Sequence, residues 1–158
     1  PKVDYSFRIL KKEPLRGFSG CFKSRELGSL KVSTQVSSEQ QLKSMIAAAA
    51  VLTKYGATEA QIVKAFAQIN PVPGRMRVLE GKNDTILIDD TYNSSPAAAE
   101  AALKTLYDVD ALERIAVLGS MNELGETSEE EHKKLGEFCD AKKLNLVVTI
   151  GEAAKKYL

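Results

Sequence analysis

The chain carries almost no net charge: 22 Lys and Arg against 21 Asp and Glu leave +1 over 158 residues. No bulk field therefore favours nucleic acid or an anionic membrane. Long apolar runs are missing too. The longest, Met45 to Leu52, is far too short for a bilayer span, and no signal peptide is visible. Cysteine is scarce. Cys21 and Cys139 have neither metal-ligand nor redox spacing and read as reduced thiols of a cytosolic protein. The dinucleotide fingerprint G-x-G-x-x-G and the phosphate loop G-x-x-x-x-G-K-[ST] are both absent, so Gly81-Lys82-Asn83 reads as a hairpin turn. Residue 1 is proline, not methionine, as expected of a fragment of a longer gene product. What remains, 44% hydrophobic and 27% charged residues, suits a globular chain of one ordinary or two small domains.

Periodicity divides the chain near residue 72. Val3, Tyr5, Phe7 and Ile9 alternate as one face of a strand. Short strand-like pieces near Gly20–Lys23 and Leu30–Thr34 follow, and together these predict a small antiparallel sheet. Leu42, Met45, Ile46 and Ala49 mark a helix over 39–55, ended by Gly56. Thr58 and Gln61 form a capping box for a second helix, with Ile62, Val63, Phe66 and Ile69 on its buried side. Asn70-Pro71-Val72-Pro73-Gly74 is a stiff break, so the predicted domains are 1–72 and 73–158.

Beyond the break the pattern becomes strand–helix–strand–helix–strand, which implies right-handed crossovers and a mostly parallel sheet. The strands read as Arg77–Glu80, Thr85–Asp89, Arg114–Leu118 and Leu144–Ile150. Ile86–Ile88 is an unbroken apolar run of the kind found in strands covered on both faces. One helix carries Ala99, Ala102, Leu103 and Leu106. Another is opened by Ser128 and Glu131 as a capping box, and a last one begins at Glu152.

Ligands of open α/β sheets bind outside the carboxyl ends of the strands. There the sequence places Asp89-Asp90-Thr91-Tyr92-Asn93-Ser94-Ser95-Pro96. Ser95 and Pro96 suit a helix start, whose free N–H groups favour phosphate. If the strand persists, the two aspartates point to opposite faces. Asp90 can then accept from ribose hydroxyls or help hold a cation, or it can simply make a local Asx-turn. Arg75 offers a planar fork for phosphate, or is a solvated hinge residue. Gly119 and Gly125 bracket a loop with Ser120, Asn122 and Glu123, where backbone can approach a ligand. His132 either serves that loop or packs inward with Leu135 and Cys139.

Three ordered motifs resemble one family. Asp89–Pro96 resembles the D-D-T-Y-N-x-x-P motif of MurF-type ligases, the UDP-N-acetylmuramoyl-tripeptide:D-alanyl-D-alanine ligases of peptidoglycan synthesis. Pro71-Val72-Pro73-Gly74-Arg75-Met76 resembles their P-V-P-G-R-M hinge. Val117–Gly125 with Ser128 and His132 resembles V-L-G-D-M-x-E-L-G-x-x-S-x-x-x-H. The resemblance covers residues 38–158. It implies an α/β fold: the end of a central ATPase domain, a small α+β piece at 1–72, joined to most of a Rossmann-like C-terminal domain. It implies ATP and Mg2+, with the metal ligands outside this chain, and UDP-MurNAc-tripeptide and D-Ala-D-Ala as substrates. It further implies a cytoplasmic bacterial monomer that binds no nucleic acid and inserts in no membrane.

By the same resemblance, Arg75, Asp90, Tyr92 and Asn93 belong to the nucleotide side, while Ser120, Asn122, Glu123 and His132 belong to the side of the incoming dipeptide. There are departures. Ser120 stands where the family has aspartate, and Gln40 and Ser44 stand in its G-x-H-x-x-x-N pattern. No phosphate loop is present. The chain alone is therefore expected to lack ligase activity. The rival readings are a non-catalytic module that binds a dipeptide or partner, and another Mur or folylpolyglutamate-type ligase.

Overall fold

The computed structural model describes residues 4–157, so Val3 of the predicted first strand lies outside the described residues. Two compact units divide between Val72 and Pro73.

The first unit begins with an antiparallel meander of β1 (Ser6–Glu13), β2 (Gly17–Ser24) and β3 (Gly28–Thr34). Its inner face is written in period two. Phe18, Gly20 and Phe22 on β2 stand opposite Thr34, Val32 and Leu30 on β3, and all six are buried. Gly20 leaves room for a ring: a Cβ there would lie 2.6 Å from Phe7 Cε1. Phe7 accordingly leans on the core and stacks on Phe66 at 6.1 Å between ring centroids. The expected apolar row fails one step later. Ile9, opposite Gly20 and on the same face as Phe7, is exposed, and directly after it a bulge before Lys11 shifts the register.

Two helices cover the sheet, α1 (Glu39–Lys54) and α2 (Glu59–Gln68). Each opens on a complete capping box, Ser38 with Gln41 and Thr58 with Gln61, which satisfies amide donors that a helix start leaves free. Gly56, at φ +89°, follows the end of α1. Leu42, Met45 and Ala49 from α1, with Ile62 and Phe66 from α2, complete one core with the sheet. Phe66 is almost fully buried, and such a ring contributes about 1.5–3 kcal/mol.

The second unit opens with an antiparallel hairpin of β4 (Arg77–Glu80) and β5 (Ile86–Asp89). Its turn holds Asn83 and Asp84 at positive φ, residue types that tolerate that region. Helix α3 (Pro96–Tyr107), β6 (Ile115–Gly119), α4 (Ser128–Phe138) and β7 (Leu146–Ile150) follow. β6 and β7 pair in parallel, Ile115 opposite Leu146 through Gly119 opposite Ile150. This is the expected α/β architecture with a parallel sheet. Ala99 and Leu103 of α3, Ala116 of β6 and Leu135 of α4 share a core with Ala154 and Tyr157. Those last two lie on a 3₁₀ segment, Ala153–Tyr157, where the sequence predicts a helix from Glu152.

Two local expectations are revised. Ile86 and Leu87 of β5 are about half exposed, at 52% and 55%, because among the described residues β5 pairs only with β4. Ser128 is not an N-cap. A 3₁₀ turn, Gly125–Thr127, runs straight into α4, so Thr127 already has helical backbone and makes no side-chain cap. No helix among the described residues is long and apolar enough to cross a membrane.

Candidate functional site

The carboxyl end of β5 is stitched to the segment that leads into β4. Arg77 stands opposite Asp89 in the hairpin, which brings residues 74–76 alongside 89–92. Asp89 Oδ2 accepts the Gly74 N–H at 3.0 Å, Gly74 C=O accepts the Tyr92 N–H at 3.1 Å, and Asp90 Oδ1 accepts the Met76 N–H at 3.0 Å. The two carboxylates do not diverge to opposite faces as an uninterrupted strand would require. β5 ends at Asp89, and both turn to the same stretch of backbone. Gly74 and Met76 have φ of +70° and +52°. The contacts hold Met76 in a conformation that side-chain-bearing residues seldom adopt.

The neighbouring aspartates are driven apart electrostatically. The Thr91 hydroxyl, at 2.7 Å, and the Gly74 amide hold the Asp89 carboxyl below its ordinary range. Burial pushes the Asp90 carboxyl up, against the pull of the Met76 amide and the Arg75 guanidinium. Asp89 also accepts the Thr91 N–H, so the Asx-turn belongs to Asp89 and not to Asp90. Sequence reasoning missed Asp89. The signal was its D-x-T spacing, which places a hydroxyl and an amide within reach of the preceding carboxylate.

Arg75 lies on the outside of this stitch, with its Cζ 4.3 Å from the centroid of the Tyr92 ring. Both residues are exposed, as is Asn93, whose Oδ1 accepts the Ser94 N–H. Ser95 then caps α3 by accepting from Ala98. One short surface therefore gathers Arg75, Tyr92, Asn93 and the half-buried Asp90: a cation, an aromatic face, a carboxamide and a carboxylate. That combination suits a phosphate and a sugar hydroxyl. Among the described residues no three His, Cys, Asp or Glu side chains come together as a metal site. The aspartate pair, turned to backbone amides, does not fit one either.

The second candidate region is the loop after β6. Gly119 C=O accepts from Tyr157 Oη at 3.0 Å, Ser120 Oγ accepts from Ala154 N–H at 3.2 Å, and His132 Nε2 accepts from Met121 N–H at 2.9 Å. Burial pushes the Tyr157 hydroxyl up to about 12, so it stays protonated and able to donate. His132 is fully buried, so among the four expected dipeptide-side residues it presents nothing to solvent. Ser120 is partly buried and engaged with Ala154. Asn122 and Glu123 are exposed, Glu123 at φ +63°. In the first unit, Gln40 and Ser44 sit on the exposed side of α1, where Ser44 Oγ donates to the Gln40 carbonyl.

Residues 74–157 match the family model described as Mur ligase, glutamate ligase domain. The chain is similar to the UDP-N-acetylmuramoyl-tripeptide--D-alanyl-D-alanine ligase of Haemophilus influenzae, with 32% identity over 124 residues, 78% of this chain and 27% of that protein. Among solved structures, MurF from Acinetobacter baumannii superimposes with a TM-score of 0.83 at 26% identity, over 98% of this chain and 33% of that one. MurF ligase from Thermotoga maritima in complex with ADP gives 0.81 at 28% identity, over 98% of this chain and 35% of that one. The chain thus spans about a quarter to a third of the length of the relatives it matches.

Proposed function

This chain belongs to the Mur ligase family, and from that premise we propose that it is part of an ATP-dependent ligase joining D-alanyl-D-alanine to UDP-N-acetylmuramoyl-tripeptide in peptidoglycan synthesis. The observation that carries the reading is the convergence of Arg75, Asp90 and Tyr92 at the end of β5, in the motif that a D-alanyl-D-alanine ligase of this type would place at its nucleotide. Residues 1–72 are the end of the ATPase domain and 73–158 most of the domain that brings the amine.

In this reading ATP gives its terminal phosphoryl group to the tripeptide carboxylate and leaves as ADP. The dipeptide amine attacks the acyl phosphate carbonyl, inorganic phosphate departs, and an amide bond forms. Arg75 meets the phosphates with its fork, and the Tyr92 ring backs the guanidinium. Asp90 accepts from the ribose hydroxyls, and Asn93 lines the same side. The loop from Gly119 to Gly125 faces the dipeptide, with Asn122 and Glu123 outermost. Closure around the acyl phosphate supplies orientation and keeps water from it. Mg2+ would be held by residues elsewhere in the enzyme. The enzyme works as a cytoplasmic monomer, without nucleic acid or membrane insertion.

The test is turnover by the full-length gene product. With ATP, UDP-MurNAc-tripeptide and D-Ala-D-Ala it is expected to release one phosphate per amide formed, and the 158-residue chain alone none. Turnover that needs glutamate in place of the dipeptide would overturn the assignment in favour of a folylpolyglutamate-type activity.

A further inference from the structure

His132 uses both ring nitrogens, and each partner dictates the proton. The Ser128 carbonyl, 2.6 Å from Nδ1, can only accept, so Nδ1 carries the hydrogen. The Met121 amide, 2.9 Å from Nε2, can only donate, so Nε2 is bare. The ring is fully buried, with Tyr157 beside it at 5.2 Å between centroids and the Ser128 hydroxyl 3.4 Å from Nδ1. Three successive residues at the end of β6 and the start of the loop are thus pinned, two from the 3₁₀ segment and one from α4: Gly119 by Tyr157, Ser120 by the Ala154 amide, Met121 by His132. Directly after the pins the chain turns through left-handed backbone at Glu123 and Gly125. Glutamate is ill suited to that region, yet it is held there with its carboxylate and the Asn122 carboxamide in solvent.

We propose that His132 is a positioning residue for the amine substrate: as the Nδ1–H tautomer it fixes the Met121 amide and so sets where Asn122 and Glu123 meet a small zwitterionic dipeptide. A carboxylate receives the amine's hydrogens, and a carboxamide both donates and accepts. The proposal rests on the reading above that this loop faces the dipeptide.

The experiment has a spectroscopic and a kinetic arm. Long-range 1H–15N correlation on the 158-residue chain is expected to find Nδ1 protonated and Nε2 bare. His132→Leu is expected to speed hydrogen exchange of the Met121 amide about tenfold, the order expected from losing one buried hydrogen bond. His132→Gln, whose carboxamide oxygen reaches toward the place of Nε2, is expected to restore most of the protection. In the full-length ligase the leucine variant is expected to raise the KM for D-Ala-D-Ala about tenfold and leave that for ATP unmoved, with glutamine again recovering most of the loss. An Nε2–H tautomer, or Met121 exchange unchanged by leucine, overturns the positioning role by itself. Equal rises in both KM values reduce His132 to a general support and overturn the link to substrate. A full-length protein that joins no dipeptide overturns the functional reading and the substrate named here, while tautomer and exchange still decide the loop. Should the leucine variant fail to fold, the unmodified chain's tautomer and the glutamine variant carry the decision.

Discussion

The guanidinium of Arg75 lies over the ring of Tyr92, 4.3 Å from its centroid, and both side chains are rooted in the stitch between residues 74–76 and 89–92. A double-mutant cycle with Arg75→Ala and Tyr92→Ala is expected to return a coupling of about 0.5–1 kcal/mol, the range of an exposed cation–π pair, read from denaturant midpoints. In the full-length enzyme Arg75→Ala is expected to reduce ATP-dependent turnover far more than this loss of stability explains. Arg75→Lys should recover little of it, since an ammonium lacks the planar fork.

Gly74 is fixed by geometry twice over. Its φ is +70°, and an added Cβ would lie 3.0 Å from both Cβ and N of Tyr92. Gly74→Ala is expected to destabilise the second unit by about 1–2 kcal/mol, the cost of left-handed backbone for an alanine, and to shift the Tyr92 resonances. An unchanged unfolding midpoint would mean that the stitch is looser than described.

The aspartate pair makes a pH prediction of opposite signs. Asp89 is held low by Thr91 and Gly74. Its contribution to stability is present above the ordinary aspartate value and is lost as pH falls through its depressed one. Asp90 is held high by burial. Its contribution is full below the ordinary value and is lost as pH rises through the elevated one. Carboxyl 13C titration should therefore show Asp90 taking its proton at higher pH than Asp89. Asp89→Ala should lower the neutral-pH melting temperature more than Asp90→Asn, which keeps an acceptor for Met76.

Gly136, inside α4, tests the close approach of the C-terminal 3₁₀ segment. A Cβ there would lie 2.2 Å from the Tyr157 carbonyl oxygen and 2.8 Å from its carbon. Alanine normally improves a helix by about 0.8–1.0 kcal/mol over glycine. Here overpacking against backbone, at about 1–3 kcal/mol, is expected to outweigh that gain. Urea unfolding should show net destabilisation, and displacement of Tyr157 should weaken its bond to Gly119.

Features set by near neighbours were legible in the sequence; those set by register were not. The capping residues Thr58 and Gln61, the stop at Gly56 and the Pro-Gly break at 71–74 act within a few residues of themselves, and each lies where the pattern placed it. The bulge after Ile9 depends on a partner strand, and nothing in the residues of β1 announces it. Ser128 looked like a cap because Glu131 follows at the right distance, but the preceding 3₁₀ turn had already begun the helix. The candidate site shows the same division. Its residue types could be read from the motif. That Asp89 and Asp90 would both fasten residues 74–76 depended on the pairing of Arg77 with Asp89, which joins positions a dozen apart. The inward turn of His132 likewise required Met121 to arrive from another element.

One consequence concerns how this loop can vary over time. Ser120 holds the Ala154 amide, and a methyl group at Gly151 would meet the Ser120 hydroxyl at 2.4 Å. Any mutation giving position 151 a side chain therefore collides with the oxygen at 120, and a bulkier acid at 120 crowds the space beside 151. The two sites form an epistatic pair. Lineages that exchange serine for aspartate are expected to retain glycine at 151, and because Gly151 has a φ of +102°, a smaller residue at 120 would remove the collision but not the backbone strain of a side chain at 151.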